Sequence, residues 1–96
     1  MEKKTTHQPS SIEVTLQERD ERYGEFIEHA RITQHLKYVM RERTKWEILS
    51  ADKKEALEMI AHKIGRILNG DPEYHDSWHD IAGYATLVAN DLAPKS

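Results

Sequence analysis

The sequence predicts a small all-α protein with the architecture of a four-helix bundle. In four stretches between residues 10 and 93, apolar residues recur at the three- and four-residue spacing of one helix face, and the alternation typical of strands is absent. Short polar breaks join the stretches, as in bundles of consecutive helices. Residues 1–9 are polar and aperiodic, and we interpret them as a disordered tail. A single domain of 96 residues buries only about 60–65% of its unfolded surface, which favours a homo-oligomer.

The composition excludes several classes of function. Charged residues make up 32% of the chain and the net charge is −3, so there is no strong nucleic-acid signal. No apolar run approaches the ~20 residues that span a bilayer, and the N-terminal stretch lacks the apolar core of a signal peptide. The chain contains no cysteine, which excludes disulfides and thiol catalysis. We therefore expect a cytoplasmic protein without a membrane partner.

The first helix is predicted to begin at Ser10 or Ser11, because Glu13 follows Ser10 at the spacing of a capping box. It ends at Gly24, since glycine accepts the left-handed backbone that terminates helices. The aromatic and glycine turn at 22–26 is interpreted as a packed corner between helices. A lid over a ligand is the alternative.

The second helix is predicted over 25–43. Its apolar stripe carries His29, which we interpret as a histidine at the bundle edge with a hydrogen-bond partner rather than as a ligand. The other members of the stripe are Ile32, Leu36, Val39 and Met40. Residues 44–49 break the pattern, and we expect an irregular apolar plug that folds back on the core. The apolar side chains of the plug are Trp46, Ile48 and Leu49.

The third helix is predicted over 51–68, with Ser50 as its N-cap. Its apolar face is the most regular in the chain and comprises Leu57, Ile60, Ala61, Ile64, Ile67 and Leu68. Gly65 lies at the margin of that face, where it leaves room for another backbone or for a ligand. The fourth helix is predicted over 76–92. Its buried face comprises Trp78, Ile81, Ala85, Val88 and Leu92, with Tyr84 beside them, and small residues around Gly83 allow close helix approach.

Acidic and histidine side chains follow the margins of the last two helices. They are Glu55, Glu58 and His62 on the third helix, and Asp76 and Asp80 on the fourth. Carboxylates suit hard cations, so this set is a candidate site for Mg²⁺ or Mn²⁺. The alternative is structural: Lys63 and Arg66 can pair with these carboxylates, and Asp76 can cap the fourth helix.

Two motifs here resemble those of a known enzyme family. Glu55-Ala-Leu-Glu58 and the run Asp76-Ser-Trp-His-Asp80-Ile-Ala-Gly-Tyr-Ala are similar to the two-helix core of the MazG-like all-α nucleoside triphosphate pyrophosphohydrolases, which carry E-x-x-E on one helix and E-x-x-D on the next. Over residues 12–92 the chain also resembles a family of small uncharacterised phage and prophage proteins. That resemblance rests on Arg22-Tyr23-Gly24, Ala56-Leu57-Glu58-Met59-Ile60, Lys63-Ile64, Arg66-Ile67 and Asp80-Ile81-Ala82-Gly83-Tyr84-Ala85.

The motif of the pyrophosphohydrolases carries over in part. Glu55 and Glu58 match its first pair and Asp80 matches its final aspartate, while Ser77 stands where the second glutamate belongs. Asp76 is one residue earlier and changes the geometry, and His62 is an addition to the motif.

The two resemblances together imply a MazG-like bundle and a phage-encoded nucleotide-binding protein or metal-dependent nucleoside triphosphate pyrophosphohydrolase. In that role Glu55, Glu58 and Asp80 are the catalytic residues, and His62 and Asp76 join them as ligands of Mg²⁺ or Mn²⁺. Lys63, Arg66 and Tyr84 bind the nucleotide. A function of a different class is the alternative, a non-catalytic helical protein that binds a host or phage protein.

Overall fold

The computed structural model describes residues 10–94, and this part of the chain contains α-helices and no strand. The α-helices are α1 at Ser11–Tyr23, α2 at Phe26–Arg41, α3 at Ala51–Asn69 and α4 at His75–Leu92, with a short 3₁₀ helix at Thr44–Ile48. The all-α prediction is therefore confirmed. The predicted tail lies outside the described residues. Within residues 10–94, no helix combines the length and the apolar character needed to cross a membrane.

The central element of the fold is α3. It packs along α2 on one side and along α4 on the other, and α1 makes smaller contacts with α2 and α3. No residue of α1 is buried, so packing holds this helix weakly. The buried apolar side chains of residues 10–94 are Trp46, Ala56 and Ala61. Two of the three are alanines, so a single chain has a small core.

The start of α1 follows the sequence pattern. The Ser10 Oγ accepts a hydrogen bond from the Glu13 backbone N–H at 3.2 Å, and the Glu13 carboxylate accepts one from the Ser10 N–H at 2.8 Å. This is the predicted capping box, which satisfies two of the free N–H groups at the helix start. Gly24 ends the helix with φ +79°, a backbone angle that favours glycine.

The turn after α1 is packed against the end of α3. The Asn69 side-chain amide donates hydrogen bonds to the carbonyls of Tyr23 at 3.0 Å and of Glu25 at 2.9 Å. The Asp71 N–H donates to the Arg22 carbonyl at 2.7 Å. A Cβ on Gly24 would lie 2.1 Å from the Asn69 carbonyl oxygen, so only glycine fits. The interpretation as a packed corner between helices is confirmed.

Gly65 has the role predicted for it, as a point of close approach. A Cβ at this position would lie 2.8 Å from Cγ2 of Thr33 and 3.0 Å from Nδ1 of His29. Thr33 and His29 are the two buried residues of α2. The missing side chain on α3 therefore lets α2 come close enough to bury a threonine and a histidine.

Two details of the segment between α2 and α3 differ from expectation. The segment 44–49 is mostly a regular 3₁₀ helix, and of its apolar side chains Trp46 is buried whereas Ile48 is exposed. With about three residues per turn, a 3₁₀ helix this short turns only some of its residues inward. Ser50 precedes α3 but makes no side-chain cap. Its Oγ instead accepts a hydrogen bond from Lys53 Nζ at 3.1 Å.

The predicted buried face of α4 is wrong in part. Ile81, Tyr84 and Val88 are half-buried, whereas the other members of the face, Trp78, Ala85 and Leu92, are exposed, and the buried residue of this helix is Ser77. The helix turns its Ser77 side toward α3, and one chain alone has nothing to cover the rest of the apolar stripe. A Cβ on Gly83 would meet no atom within 4 Å, so no close approach occurs there within the chain.

Candidate functional site

A cavity of about 380 Å³ lies between α1, α2 and α3. This volume is within the range of small-molecule sites, about 300–1,000 Å³. Its walls combine aromatic, aliphatic, cationic and imidazole side chains. The lining residues are Leu16, Arg19, Asp20, Tyr23, Gly24, Phe26, His29, Ala30, Thr33, Gln34, His62 and Arg66.

Two histidines and a lysine form a linked network beside the cavity. Lys37 Nζ lies 3.0 Å from Nε2 of His62, and Nδ1 of His62 lies 3.4 Å from Nε2 of His29. A charged lysine can only donate, so Nε2 of His62 accepts and the ring proton sits on Nδ1. That proton points at Nε2 of His29, which places the proton of His29 on its own Nδ1. The hydrogen-bond network thus assigns the Nδ1–H tautomer to both rings.

The Nδ1 atom of His29 is buried. Within residues 10–94 it has no partner with full hydrogen-bond geometry. The Gly65 backbone lies close enough to raise the pKa of this ring slightly, but the larger effects lower it. A buried N–H with a poorly placed acceptor is costly, so the close packing of α2 on α3 leaves a polar group partly satisfied at this point.

Both rings are held neutral. Burial is the main cause that lowers the pKa of His29, followed by the charges of His62 and Arg66. Burial also lowers the pKa of His62, followed by Lys37 and Arg66, while Glu58 opposes this change. Protonation of His62 would place a second N–H against the ammonium of Lys37. The pair is therefore a neutral hydrogen-bonding surface and not a fixed cation.

The positive charge of the cavity comes from two arginines that stack on one tyrosine. The guanidinium carbon of Arg66 lies 4.5 Å from the ring centre of Tyr23, and that of Arg19 lies 5.8 Å from it. The ring holds each guanidinium by a cation–π contact and leaves its N–H edge free to bind an anion. Within residues 10–94 neither arginine forms an ion pair with a carboxylate. Asp20 supplies the acidic group of the lining.

The predicted metal ligands have other partners. Glu58 accepts a hydrogen bond from Arg41 at 2.5 Å, and Asp80 accepts one from the buried Lys63 at 2.8 Å. The bond from Lys63 lowers the pKa of Asp80. Both carboxylates are thus engaged by bases on neighbouring helices. The pairing with Lys63 is the structural alternative that the sequence left open.

The remaining predicted site residues are spread over the surface of α3 and α4. Asp76 accepts a hydrogen bond from the Tyr74 hydroxyl at 3.1 Å, and it lies in the first turn of α4 instead of capping it. Glu55 and Tyr84 line a shallow depression between α3 and α4, together with Asp91. Of the predicted set, only His62 and Arg66 line the cavity.

The positions of the predicted ligands show whether one chain can hold a divalent cation. Within residues 10–94, no group of three or more histidine, aspartate or glutamate side chains is arranged to hold a metal ion. A cation at the predicted ligands would have to displace Arg41 from Glu58 and Lys63 from Asp80. In one chain the geometry therefore does not fit Mg²⁺ or Mn²⁺, and the metal site stays a prediction.

Several cavity residues were not predicted as site residues from the sequence. Arg19 lies in a charged run of α1 and Thr33 carries no motif. Lys37, which contacts His62 beside the cavity, carries no motif either. The sequence pattern predicts His29 as a histidine at the bundle edge with a hydrogen-bond partner, not as a ligand. One signal was available: Gly65 follows His62 by three residues and marks the place where α2 approaches α3. That signal indicates the close contact, but it does not show which side chains of α2 fill the space.

Comparison with known proteins adds one result. No curated protein and no solved structure matches the chain. A family model described as a domain of unknown function, DUF6378, matches residues 10–92, which is most of the chain. The protein therefore belongs to the DUF6378 family.

Proposed function

We propose that the chain binds a nucleotide, or a closely related phosphate-bearing ligand, in the cavity between α1, α2 and α3. The observation that carries this proposal is the pair of guanidinium groups on Tyr23. Arg19 and Arg66 both line the cavity and neither is neutralised by a carboxylate ion pair within residues 10–94. Guanidinium groups recognise phosphate with two parallel N–H donors.

The rest of the lining suits the other parts of a nucleotide. Phe26 stands exposed at the cavity, where its ring can stack on a base. The carboxylate of Asp20 can accept a hydrogen bond from a sugar hydroxyl or from an exocyclic amino group. His62 and Gln34 supply neutral donors and acceptors. A base, a sugar and a phosphate thus each have a chemical counterpart in the lining.

A binding experiment tests this proposal directly. Calorimetric titration of the purified chain with a panel of nucleoside triphosphates, monophosphates and inorganic phosphate should give binding. Arg66→Gln should weaken it at least tenfold, which corresponds to about 1.4 kcal/mol. Arg43→Gln is the matched control, because Arg43 is an exposed arginine outside the cavity. Equal binding by the two variants, or no binding at millimolar ligand, would refute the cavity as the site.

A second variant separates loss of charge from loss of space. Ala30 lines the cavity and is half-buried, so Ala30→Leu fills part of the volume and removes no charge. It should also weaken binding, while its helical content by circular dichroism stays that of the wild type. Unchanged affinity in Ala30→Leu would place the ligand elsewhere on the chain.

The more specific form of the proposal is that the chain hydrolyses a bound nucleoside triphosphate between its phosphates. It comes from the resemblance to the MazG-like pyrophosphohydrolases, with Glu55, Glu58 and Asp80 as catalytic residues. The separate resemblance to small phage and prophage proteins supports a phage-encoded protein that acts in the cytoplasm of a bacterial host. Release of pyrophosphate from the same nucleotides, with Mg²⁺ or Mn²⁺ present and lost in Glu58→Gln, would support it. Binding without release would leave a nucleotide-binding protein.

The second candidate is a non-catalytic interaction protein. Its specific support is α1, which buries no residue and leaves both Ile12 and Leu16 of its short apolar stripe exposed. A helix with an exposed apolar stripe can dock in a groove of a host or phage protein. This candidate leads if the nucleotide panel gives neither binding nor pyrophosphate.

A further inference from the structure

The three-helix layer formed by α2, α3 and α4 has two sides of opposite character. A helix turns about 100° per residue, so residues nine apart point in opposite directions. On α2, Ala30 lines the cavity and Val39 points away from it; on α3, Arg66 lines the cavity and Leu57 points away. The layer therefore has a cavity side and a side that faces away from it.

The same relation orients α4. Leu87 lines a depression with Glu55, which lies about 20° from Arg66 around α3 and so on the cavity side. Trp78 is nine residues before Leu87, so it points to the far side, and Ala85 and Leu92 follow it at seven-residue spacing. The far side thus carries exposed apolar side chains on all three helices. We call it the apolar face, and its residues are Val39, Leu57, Leu68, Trp78, Ala85 and Leu92.

The apolar face exposes an area comparable with that of a protein–protein interface. Its five large residues are exposed by 47% at Val39, 40% at Leu57, 69% at Leu68, 55% at Trp78 and 63% at Leu92. At about 200 Å² for a fully exposed large residue, these fractions correspond to roughly 550 Å². Adjacent half-buried Ile64 and Ile81 add to it. A stable dimer buries about 800 Å² on each partner, so the face provides most of one half.

We propose that a second copy of this chain covers the apolar face and completes the hydrophobic core. The charge pattern selects this occupant. The chain is 32% charged, but the charged side chains at the angles of the face, Glu28 and Lys53, lie in the first turns of α2 and α3. The centre of the face is apolar and uncharged, so its complement is a surface of the same character. A second copy presents such a surface when two faces meet across a two-fold axis.

The small core of the single chain supports the same occupant. Its buried apolar side chains within residues 10–94 are one tryptophan and two alanines, whereas Ile60, Ile64 and Ile67 of α3 are only half-buried. This is the pattern of a core divided between two chains, as in obligate homodimers. Small residues such as Ala85 let the facing helices approach closely, so the pairing can bury the isoleucines as well. The cavity lies on the other side of the layer and stays open in such a dimer.

The test measures mass and stability as functions of concentration. Sedimentation equilibrium between about 1 and 100 μM should give twice the chain mass of 11.2 kDa. The thermal midpoint should rise with protein concentration, because folding is then linked to association. A mass equal to one chain, with a midpoint independent of concentration, would overturn the proposal.

Two variants locate the interface. Ala85→Glu places a charge on the apolar face, while Asn90→Glu places the same charge about 140° away on α4. Both residues are exposed in the single chain, so neither substitution harms a monomeric fold. Ala85→Glu should weaken dimerisation at least tenfold and lower the thermal midpoint, or abolish folding at low concentration. Asn90→Glu should behave as the wild type. Equal mass and midpoint in the two variants would show that the chains meet elsewhere.

Discussion

The imidazole rings of His29 and His62 lie 5.6 Å apart, centre to centre, and tilted by 33° between α2 and α3. His62 also meets Lys37, so one lysine orients two neutral histidines. This arrangement links the packing of the two helices to pH, because the network holds only while both rings are uncharged.

The first prediction is a loss of stability in mild acid. The pKa values of both histidines are lowered, chiefly by burial. The charges of Arg66 and Lys37 lower both pKa values further, Lys63 also lowers that of His62, and Glu58 raises that of His62. Below the ordinary histidine pKa of about 6.5, the unfolded chain binds protons that the folded chain does not. The stability that the two neutral histidines contribute is therefore fully present above that pH. It falls as pH drops, with a slope of at most about 1.4 kcal/mol per pH unit for each proton.

Denaturant unfolding between pH 8 and pH 5 measures this slope. His62→Gln should reduce it, because glutamine can accept from Lys37 and does not titrate. His35→Gln is the control, since His35 is exposed on α2. A wild-type stability that does not change over this range, or an equal effect of both substitutions, would contradict the prediction.

The second prediction contrasts two glycines. Gly65→Ala brings a methyl group within 2.8 Å of Thr33 and 3.0 Å of His29, so α2 must move. Overpacking costs about 1–3 kcal/mol, against a gain of about 1 kcal/mol in helix propensity. We expect a net loss of up to about 2 kcal/mol. Gly83→Ala meets no atom and should stabilise by up to about 1 kcal/mol. Urea denaturation of both variants gives the two values, and stabilisation by Gly65→Ala would disprove the close approach.

The third prediction concerns the attachment of α1. Asn69 holds the carbonyls of Tyr23 and Glu25, and α1 buries no residue of its own. Asn69→Ala removes the hydrogen bond to the Tyr23 carbonyl and one of the two on the Glu25 carbonyl, which also accepts from the His29 N–H. The loss of the two bonds should cost about 1–3 kcal/mol. Hydrogen exchange should then speed up across α1 while α3 stays protected. The exposed Asn90→Ala is the control. Unchanged exchange in α1 would mean that other contacts hold it.

The fourth prediction separates structural ion pairs from a metal site. Asp80→Asn and Glu58→Gln remove the partners of Lys63 and Arg41, so both should lower the melting temperature with or without Mn²⁺. Lys63 is buried, so the loss of Asp80 leaves its ammonium without its carboxylate. Because the pKa of Asp80 is lowered, the contribution of its pair is present above the ordinary aspartate value and fades below about pH 4.

Thermal unfolding with and without millimolar Mn²⁺ and a nucleoside triphosphate makes this measurement. A cluster of uncompensated carboxylates would behave in the opposite way, because the removal of one would keep or raise the stability of the metal-free protein. Stabilisation of the wild type by Mn²⁺ that disappears in Asp80→Asn would establish the predicted metal site.

The helices and several of their ends can be predicted from the order of the residues alone. The capping box of Ser10 and Glu13, the stop at Gly24 and the close approach at Gly65 are all confirmed. These features depend on local chemistry: the period of a helix, the reach of a side chain over three residues, and the volume of one methyl group. Such effects need no knowledge of where the other helices lie.

Which side chains of different helices contact each other could not be predicted in the same way. The period of α3 shows that Glu58 and His62 share a margin, but it does not show that Arg41 and Lys37 of α2 reach them. In the same way, the apolar stripe of α4 is visible in the sequence, yet only half of it contacts α3. The physical reason is that periodicity sets the angles of side chains around one axis. The rotation and sliding of one helix against another depend on the packing of all the residues in both helices. This packing determines where the cavity, the ion pairs and the apolar face lie.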